Sequence, residues 1–182
     1  LRPLVRGFLA APSEFVPVLT TAFPDRVVWD RVVYRLPPDR ALARPAVEAE
    51  VRALTPDDAD AVAGLGDEIA WISKTWGGPA GMAAHGNAVG AFVDGRLASV
   101  VCTFFQGIRH EDAGVVTEPE HRGRGLATAC ASAWCEAVRA RGRVPSWTTS
   151  PDNLGSLRIP EWLGFELVRR DALHVVGVEV PR

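Results

Sequence analysis

Lysine is almost missing from this 182-residue chain: of its 20 basic residues only Lys74 is one. A Gly-Lys-Ser/Thr phosphate loop is therefore excluded. Cysteine is scarce, and Cys102, Cys130 and Cys135 lack the paired spacing of zinc ligands. The thiols read as small buried apolar groups in a reducing compartment, and no metal is expected. Neither sign of charge dominates, since the formal net charge is -2, so bulk attraction to nucleic acid or to an anionic membrane is not expected. No apolar run approaches the roughly 20 residues of a membrane-spanning helix. The opening LRPLVRGFLAAPSEF lacks the apolar core of an export signal. A cytoplasmic protein with neither a nucleic-acid nor a membrane partner is the expectation.

What is present is a core-forming composition, 47% apolar, sufficient for one sizeable core. Leu4, Phe8, Phe15, Val18 and Leu19 recur at helical spacing, and RVVWDRVVYRL then reads as a strand. PPDRALARP punctuates the chain, which places a boundary near residues 37–45 and makes 1–45 an N-terminal extension or partial subdomain. VEAEVRALTP alternates as a strand, and Thr55-Pro56-Asp57-Asp58 supplies a cap, an N1 proline and acids for a helix over 56–65. DEIAWISKTW predicts helix until Gly77-Gly78-Pro79. Asp94-Gly95 predicts a hairpin. HEDAGVVT is a further strand, in which Gly114 suggests a bulge or a close backbone approach. Leu126, Cys130, Ala133 and Ala137 mark the inner face of a helix. VPSWTTS is the next strand, a short helix follows Pro151-Asp152-Asn153 and ends before Gly164, and FELVRRDALHVVGVEV closes the chain in one or two strands. Meandering strands followed by strand–helix alternation give a mixed α+β class with one dominant sheet.

The stretch EHRGRGLATACASAW holds the chemistry. A helix N-terminus presents unpaired N–H groups and about half a positive charge, so it holds an anion without a charged side chain. Gly123 and Gly125 let a phosphate approach the backbone there, and Arg122 and Arg124 add positive potential. A dinucleotide fingerprint fails, because Thr128 stands where the third small residue belongs and no acid follows at the right distance.

Arg122-Gly123-Arg124-Gly125-Leu126-Ala127 matches the R/Q-x-x-G-x-G/A signature of the GNAT acyltransferases, and NLGSLRIPEWLGFE resembles their N-x-x-S/A…LGF block. The chain resembles that superfamily over roughly residues 46–177. The resemblance implies a mixed α/β fold whose central, mostly antiparallel sheet splays between its fourth and fifth strands and is flanked by helices. It implies acetyl-CoA, or another acyl-CoA, as cofactor. The pyrophosphate would rest on Arg122, Gly123, Arg124, Gly125, Leu126 and Ala127 with Thr128 close by. The pantetheine arm would lie along Val115, Val116 and Thr117 beside a bulge at Gly114, and Asn153 and Ser156 would face the cofactor from the other side.

Acetyl transfer to an amine needs a neutral nitrogen, so a general base is sought among His110, Glu111 and Asp112. Glu111 stands eleven residues before Arg122, where some family members carry a glutamate base; it is the first choice if partial burial raises its pKa, and His110 is the second. Alternation puts Glu111 on one face with Ala113 and Val115, and His110 on the other with Asp112. The acceptor wall of the family corresponds to DEIAWISKTWGGPAG, where Trp71 and Trp76 would line a slot and Glu68 or Asp67 would attract a cationic amine. The family's tyrosine acid, seven residues after the matched asparagine, is here Pro160, expected to kink or shorten its helix. Trp147 and Trp162 are expected to pack on the sheet. The leading expectation is an N-acetyltransferase for a small-molecule amine, working by direct attack in a ternary complex. A silent acyl-CoA-binding sensor or interaction module, a protein or peptide acetyltransferase, and a homodimeric assembly stay open.

Overall fold

The structure is a computed structural model that describes residues 5–180. Its strands are β1 (Gly7–Leu9), β2 (Val27–Arg35), β3 (Glu50–Ala53), β4 (Ala88–Val93), β5 (Arg96–Gln106), β6 (His110–Thr117), β7 (Val144–Thr149) and β8 (Glu166–Val176). The α-helices are α1 (Val16–Ala22), α2 (Ala59–Ala63), α3 (Pro79–Ala84), α4 (Leu126–Ala140) and α5 (Leu154–Leu163). All eight strands form one sheet in the order β1-β8-β2-β7-β6-β5-β4-β3, so the class is the mixed α/β one expected.

Local chemistry explains most elements. The Thr55 hydroxyl and the Asp58 carboxylate form a reciprocal capping box that starts the helical turns before α2. Asp94 and Gly95 both take positive φ, 49° and 77°, and close the β4–β5 hairpin. In α4, Leu126, Cys130, Trp134 and Val138 are buried one turn apart, with Ala133 at the flank of that stripe. They pack with Trp147, Ile159, Leu163 and Phe165 on one sheet face. The other face carries Leu54, Val62, Ile72, Met82, Val100, Cys102 and Val116 beneath α2, α3 and the 3-10 turn Ala70–Trp76.

Several expectations give way here. Leu4 lies outside the described residues, and Phe8 sits in β1 rather than in a helix. DEIAWISKTW forms 3-10 turns, and the α-helix begins only at Pro79, because proline suits a first helical position while Gly77 and Gly78 leave the helical region. Trp162 is 48% exposed, so of the two tryptophans expected on the sheet only Trp147 is buried. Pro160 does not end its helix; α5 runs through it to Leu163 with Pro160 buried. The segment 1–45, set apart in the sequence by its prolines, contributes β1, α1 and β2 to the common architecture. β2 lies inside the sheet, antiparallel to β7 on one side and β8 on the other.

Among the described residues only β6 and β7 pair in parallel, and only through His110–Val144, Glu111–Pro145 and Asp112–Ser146. Beyond that last rung the two strands have no ladder, although β6 continues to Thr117 and β7 to Thr149. Counted from β3 these are the fourth and fifth strands, so the sheet opens where the sequence resemblance implied.

Candidate acyl-CoA site and acceptor face

β6 leads through the turn Pro119–His121 directly into α4. Gly125 is the N-cap of α4 in the left-handed region, φ 78°, and no side chain caps the helix. The first intrahelical bond is Ala129 N–H to Gly125 O, so the Leu126, Ala127 and Thr128 N–H groups point out of the first turn unused. Gly123 is also left-handed, φ 76°, and a Cβ built there would meet nothing within 4 Å. The turn is therefore open above its free donors, a shape that fits a phosphate. Arg122 and Arg124 are exposed beside it; Arg122 Nε donates to Thr117 O at 3.2 Å, and Arg124 Nη1 pairs with His121 Nδ1 at 2.8 Å.

Along β6, Glu118 N–H bonds Ala98 O on the β5 side. Alternation then turns the main chain of Val116 and Gly114 toward β5 and that of Val115 and Thr117 toward the opening. Val116 differs from its neighbours accordingly, its carbonyl accepting from Ser99 Oγ at 2.9 Å. Gly114 is not a bulge. It pairs regularly with Cys102, and the register shift lies opposite, in β5 between Thr103 and Phe105. A Cβ at Gly114 would stand 2.9 Å from Ile72 Cδ1 and 3.0 Å from Phe104 Cβ, so the position needs glycine for close approach.

Glu111 does not meet the expectation of a poised base. It is fully buried at the closed end of the opening, where Arg141 Nε and Nη2 donate to it at 3.0 and 2.7 Å and Arg143 Nη1 at 3.0 Å. Thr103 Oγ1 donates as well and receives Trp134 Nε1–H at 3.1 Å. Burial alone would raise the Glu111 pKa, but the donors from Arg141, Thr103 and Arg143 outweigh it and hold the carboxyl at about 2. A carboxylate so strongly satisfied is a fastening between β6 and the end of α4, not a proton acceptor. His110 is exposed at the start of β6, away from the opening.

Asp112, on the opposite face, has the contrasting environment. It forms the last rung before the strands part. Its Oδ1 accepts from Ser146 Oγ at 2.8 Å and from Thr148 Oγ1 at 3.0 Å, and Oδ2 accepts from no described residue. Burial pushes its pKa above the ordinary carboxylate range, partly offset by the two hydroxyls and by the charge of Arg31. Alternation had separated the two acids onto different faces; only tertiary packing shows which face carries the arginines. Nothing in the sequence pointed to Arg31, Ser146 or Thr148, because β2 and β7 are distant in the chain.

The remaining expected residues take structural parts. Asn153 caps α5 by accepting Ser156 N–H at 3.0 Å, and Ser156 Oγ accepts from Trp147 Nε1 at 3.0 Å. Trp76 Nε1 donates to Thr103 O at 2.7 Å, and its ring lies against His85. Trp71 is 38% exposed and meets Phe104 edge-on, on the face shared with Gly114. Glu68 is exposed. All three cysteines are free and buried, and burial pushes the Cys102 and Cys130 thiols up to about 12. Among the described residues no group of side chains could hold a metal ion, and no helix is long and apolar enough to cross a membrane.

A family model for GNAT acetyltransferases matches residues 42–170. The chain belongs to the GNAT acetyltransferase family. It is 45% identical over 144 residues to an uncharacterised N-acetyltransferase encoded in the mutA 5′ region of Streptomyces virginiae, covering 78% of this chain and 60% of that relative. A putative GNAT acetyltransferase from Novosphingobium aromaticivorans superimposes with a TM-score of 0.64 at 24% identity, over 85% of this chain and 66% of that one. A Drosophila protein superimposes with a TM-score of 0.69 at 18% identity, over 98% and 63% respectively. Both solved structures share the fold, and the chain spans about 60% of the length of the curated relative it matches.

Proposed function

We propose that this GNAT chain is an N-acetyltransferase that moves acetyl from acetyl-CoA to the amine of a small molecule by direct attack in a ternary complex. The observation that carries the reading is the parting of β6 and β7 after Asp112–Ser146, beside an uncapped helix turn. Leu126, Ala127 and Thr128 N–H would hold the pyrophosphate, with Arg122 and Arg124 raising the local potential. Val115 and Thr117 would pair with the pantetheine amides as an added strand does. When bound, acetyl-CoA supplies a thioester whose carbonyl carbon forms the C–N bond as its C–S bond breaks.

Asp112 takes the base role that the sequence resemblance assigned to Glu111. Its Oδ2 accepts the proton that the nitrogen gives up, and water returns a proton to the departing sulfur. Ser146 and Thr148 keep Oδ1 occupied and aim the carboxylate. Glu111 positions β6 from the closed end. Trp71, beside Phe104, would wall the acceptor side, and the exposed Glu68 would attract a cationic amine.

Thiol release from acetyl-CoA, screened against diverse amines, tests the reading. CoA should appear only when acetyl-CoA and an acceptor are both present. Pro160, buried in α5 where many relatives carry a tyrosine acid, favours a second reading, a silent acyl-CoA-binding module. Tight acetyl-CoA binding with no release across the whole panel would select that reading.

A further inference from the structure

Arg31 presents an unfilled pairing on the acceptor face. Its guanidinium lies 4.0 Å over the Trp29 ring and donates from Nη2 to Thr148 O at 3.0 Å. Its Nε is the one buried side-chain polar atom without a partner among the described residues. Such orphans are rare in folded proteins and ask for an explanation. Three carboxylates stand near, and none fills the gap. Asp171 is opposite Arg31 in the β2–β8 ladder, but it accepts from Arg169 Nε at 3.0 Å and from Ala172 N–H at 2.9 Å. Burial lowers the Arg31 pKa, and the charges of Asp112 and Asp152 partly offset this. Neither of those two makes a hydrogen bond or ion pair with Arg31. The guanidinium and the Asp112 carboxylate share one neighbour instead, since Thr148 O accepts from Arg31 Nη2 at 3.0 Å and Thr148 Oγ1 donates to Asp112 Oδ1 at 3.0 Å.

We propose that Arg31 and Asp112 form a zwitterion site, which selects an acceptor with a carboxylate beside its amine: an α-amino acid or a close analogue. The inference rests on the transferase reading above and adds the class of acceptor. Arg31 holds the carboxylate through Nη1, which donates to no described residue, backed by the Trp29 face. Asp112 Oδ2 receives the ammonium and then its proton, in line with its place at the last rung of the parting strands. An amine without the carboxylate leaves Arg31 unpaired, and a site left with an unsatisfied polar group rejects such an analogue strongly. Arg31 lies outside residues 42–170, the part that matches the family model, so this selection is carried by β2 rather than by the matched part.

The test compares phenylalanine with phenethylamine, leucine with 3-methylbutylamine, and tryptophan with tryptamine, each with acetyl-CoA, in the wild type, Arg31→Gln and Arg31→Lys. The wild type should favour the amino acid of each pair by roughly tenfold or more in kcat/KM. Arg31→Gln should erase that ratio, chiefly through KM, and Arg31→Lys should keep part of it. Equal kcat/KM within the wild-type pairs, or a ratio untouched in Arg31→Gln, overturns the proposal. If no amine of any kind releases thiol, the transferase reading fails instead. Calorimetric titration of the same pairs into CoA-saturated protein then decides the site: a carboxylate preference abolished in Arg31→Gln supports it, and no preference overturns it. Circular-dichroism melts verify that both variants fold, and Arg31→Lys, which keeps charge and stem, decides if the glutamine variant does not.

Discussion

Asp112 and Glu111 are chain neighbours with opposite surroundings, and the difference is testable at each. A base must be deprotonated to act, and burial raises the Asp112 pKa, so the acid limb of kcat/KM should lie above the ordinary carboxylate range, about 3.9. Arg31 is the charged group that acts on it, and Asp152 acts on Arg31 in turn. Asp112→Asn should lose that limb and lower kcat by about 100-fold while sparing acetyl-CoA affinity, as pH–rate profiles and calorimetry would show. A wild-type rate in that variant removes Asp112 from the chemistry. Glu111 follows the reverse logic. Its carboxyl falls from an ordinary 4.5 to about 2 in the folded chain, so its stabilisation is complete above pH 4.5 and is lost as the pH falls toward 2. That drop corresponds to about 3 kcal/mol. Urea unfolding of Glu111→Gln should show a loss of that order at pH 7, shrinking toward pH 3; equal stability at pH 7 counts against the fastening role.

At the scale of elements, the turn into α4 and the parting of β6 from β7 do different work. The turn offers free N–H donors at a helix start of 15 residues, and its electrostatics are sequence-local. Arg124→Glu should weaken acetyl-CoA binding about tenfold by calorimetry, since one positive charge becomes negative beside the phosphates. Unchanged affinity would remove the turn from the cofactor site. The same substitution leaves the buried stripe of α4 untouched, because Arg124 is exposed and its one side-chain hydrogen bond among the described residues is to His121. The opening has a non-local origin. Glu111, Thr103, Trp134, Arg141 and Arg143 clamp one end, and beyond Asp112–Ser146 no ladder joins the strands, only the Thr148 hydroxyl reaching back to Asp112.

Over the whole molecule, β2 is the element on which the sheet depends. It pairs with β8 along its length and with β7 through Val32–Arg35, so removing residues 1–45 would expose two strand edges and the buried Val32 contact together. That truncated chain should lose cooperative thermal unfolding, followed by circular dichroism; a sharp transition at the full-length temperature would show that 46–182 folds alone. The hairpin, the Thr55 cap, the strand His110–Thr117 and the glycine turn before α4 were all legible in the sequence, because each is governed by residues within a few positions of one another. The Leu126–Cys130 spacing likewise marked the inner face of α4, although Trp134 and Val138 complete it. The 3-10 turns at Ala70–Trp76 and the passage of α5 through Pro160 were not legible, since packing overrode local preference there. By itself, then, the sequence determined the glycine turn before α4 and the strand that precedes it. Only the tertiary structure decided which of two adjacent acids is clamped and which is open, and brought Arg31 to Thr148, 117 residues away. Such long-range pairing is set by the burial of the whole sheet and leaves no local pattern in the chain.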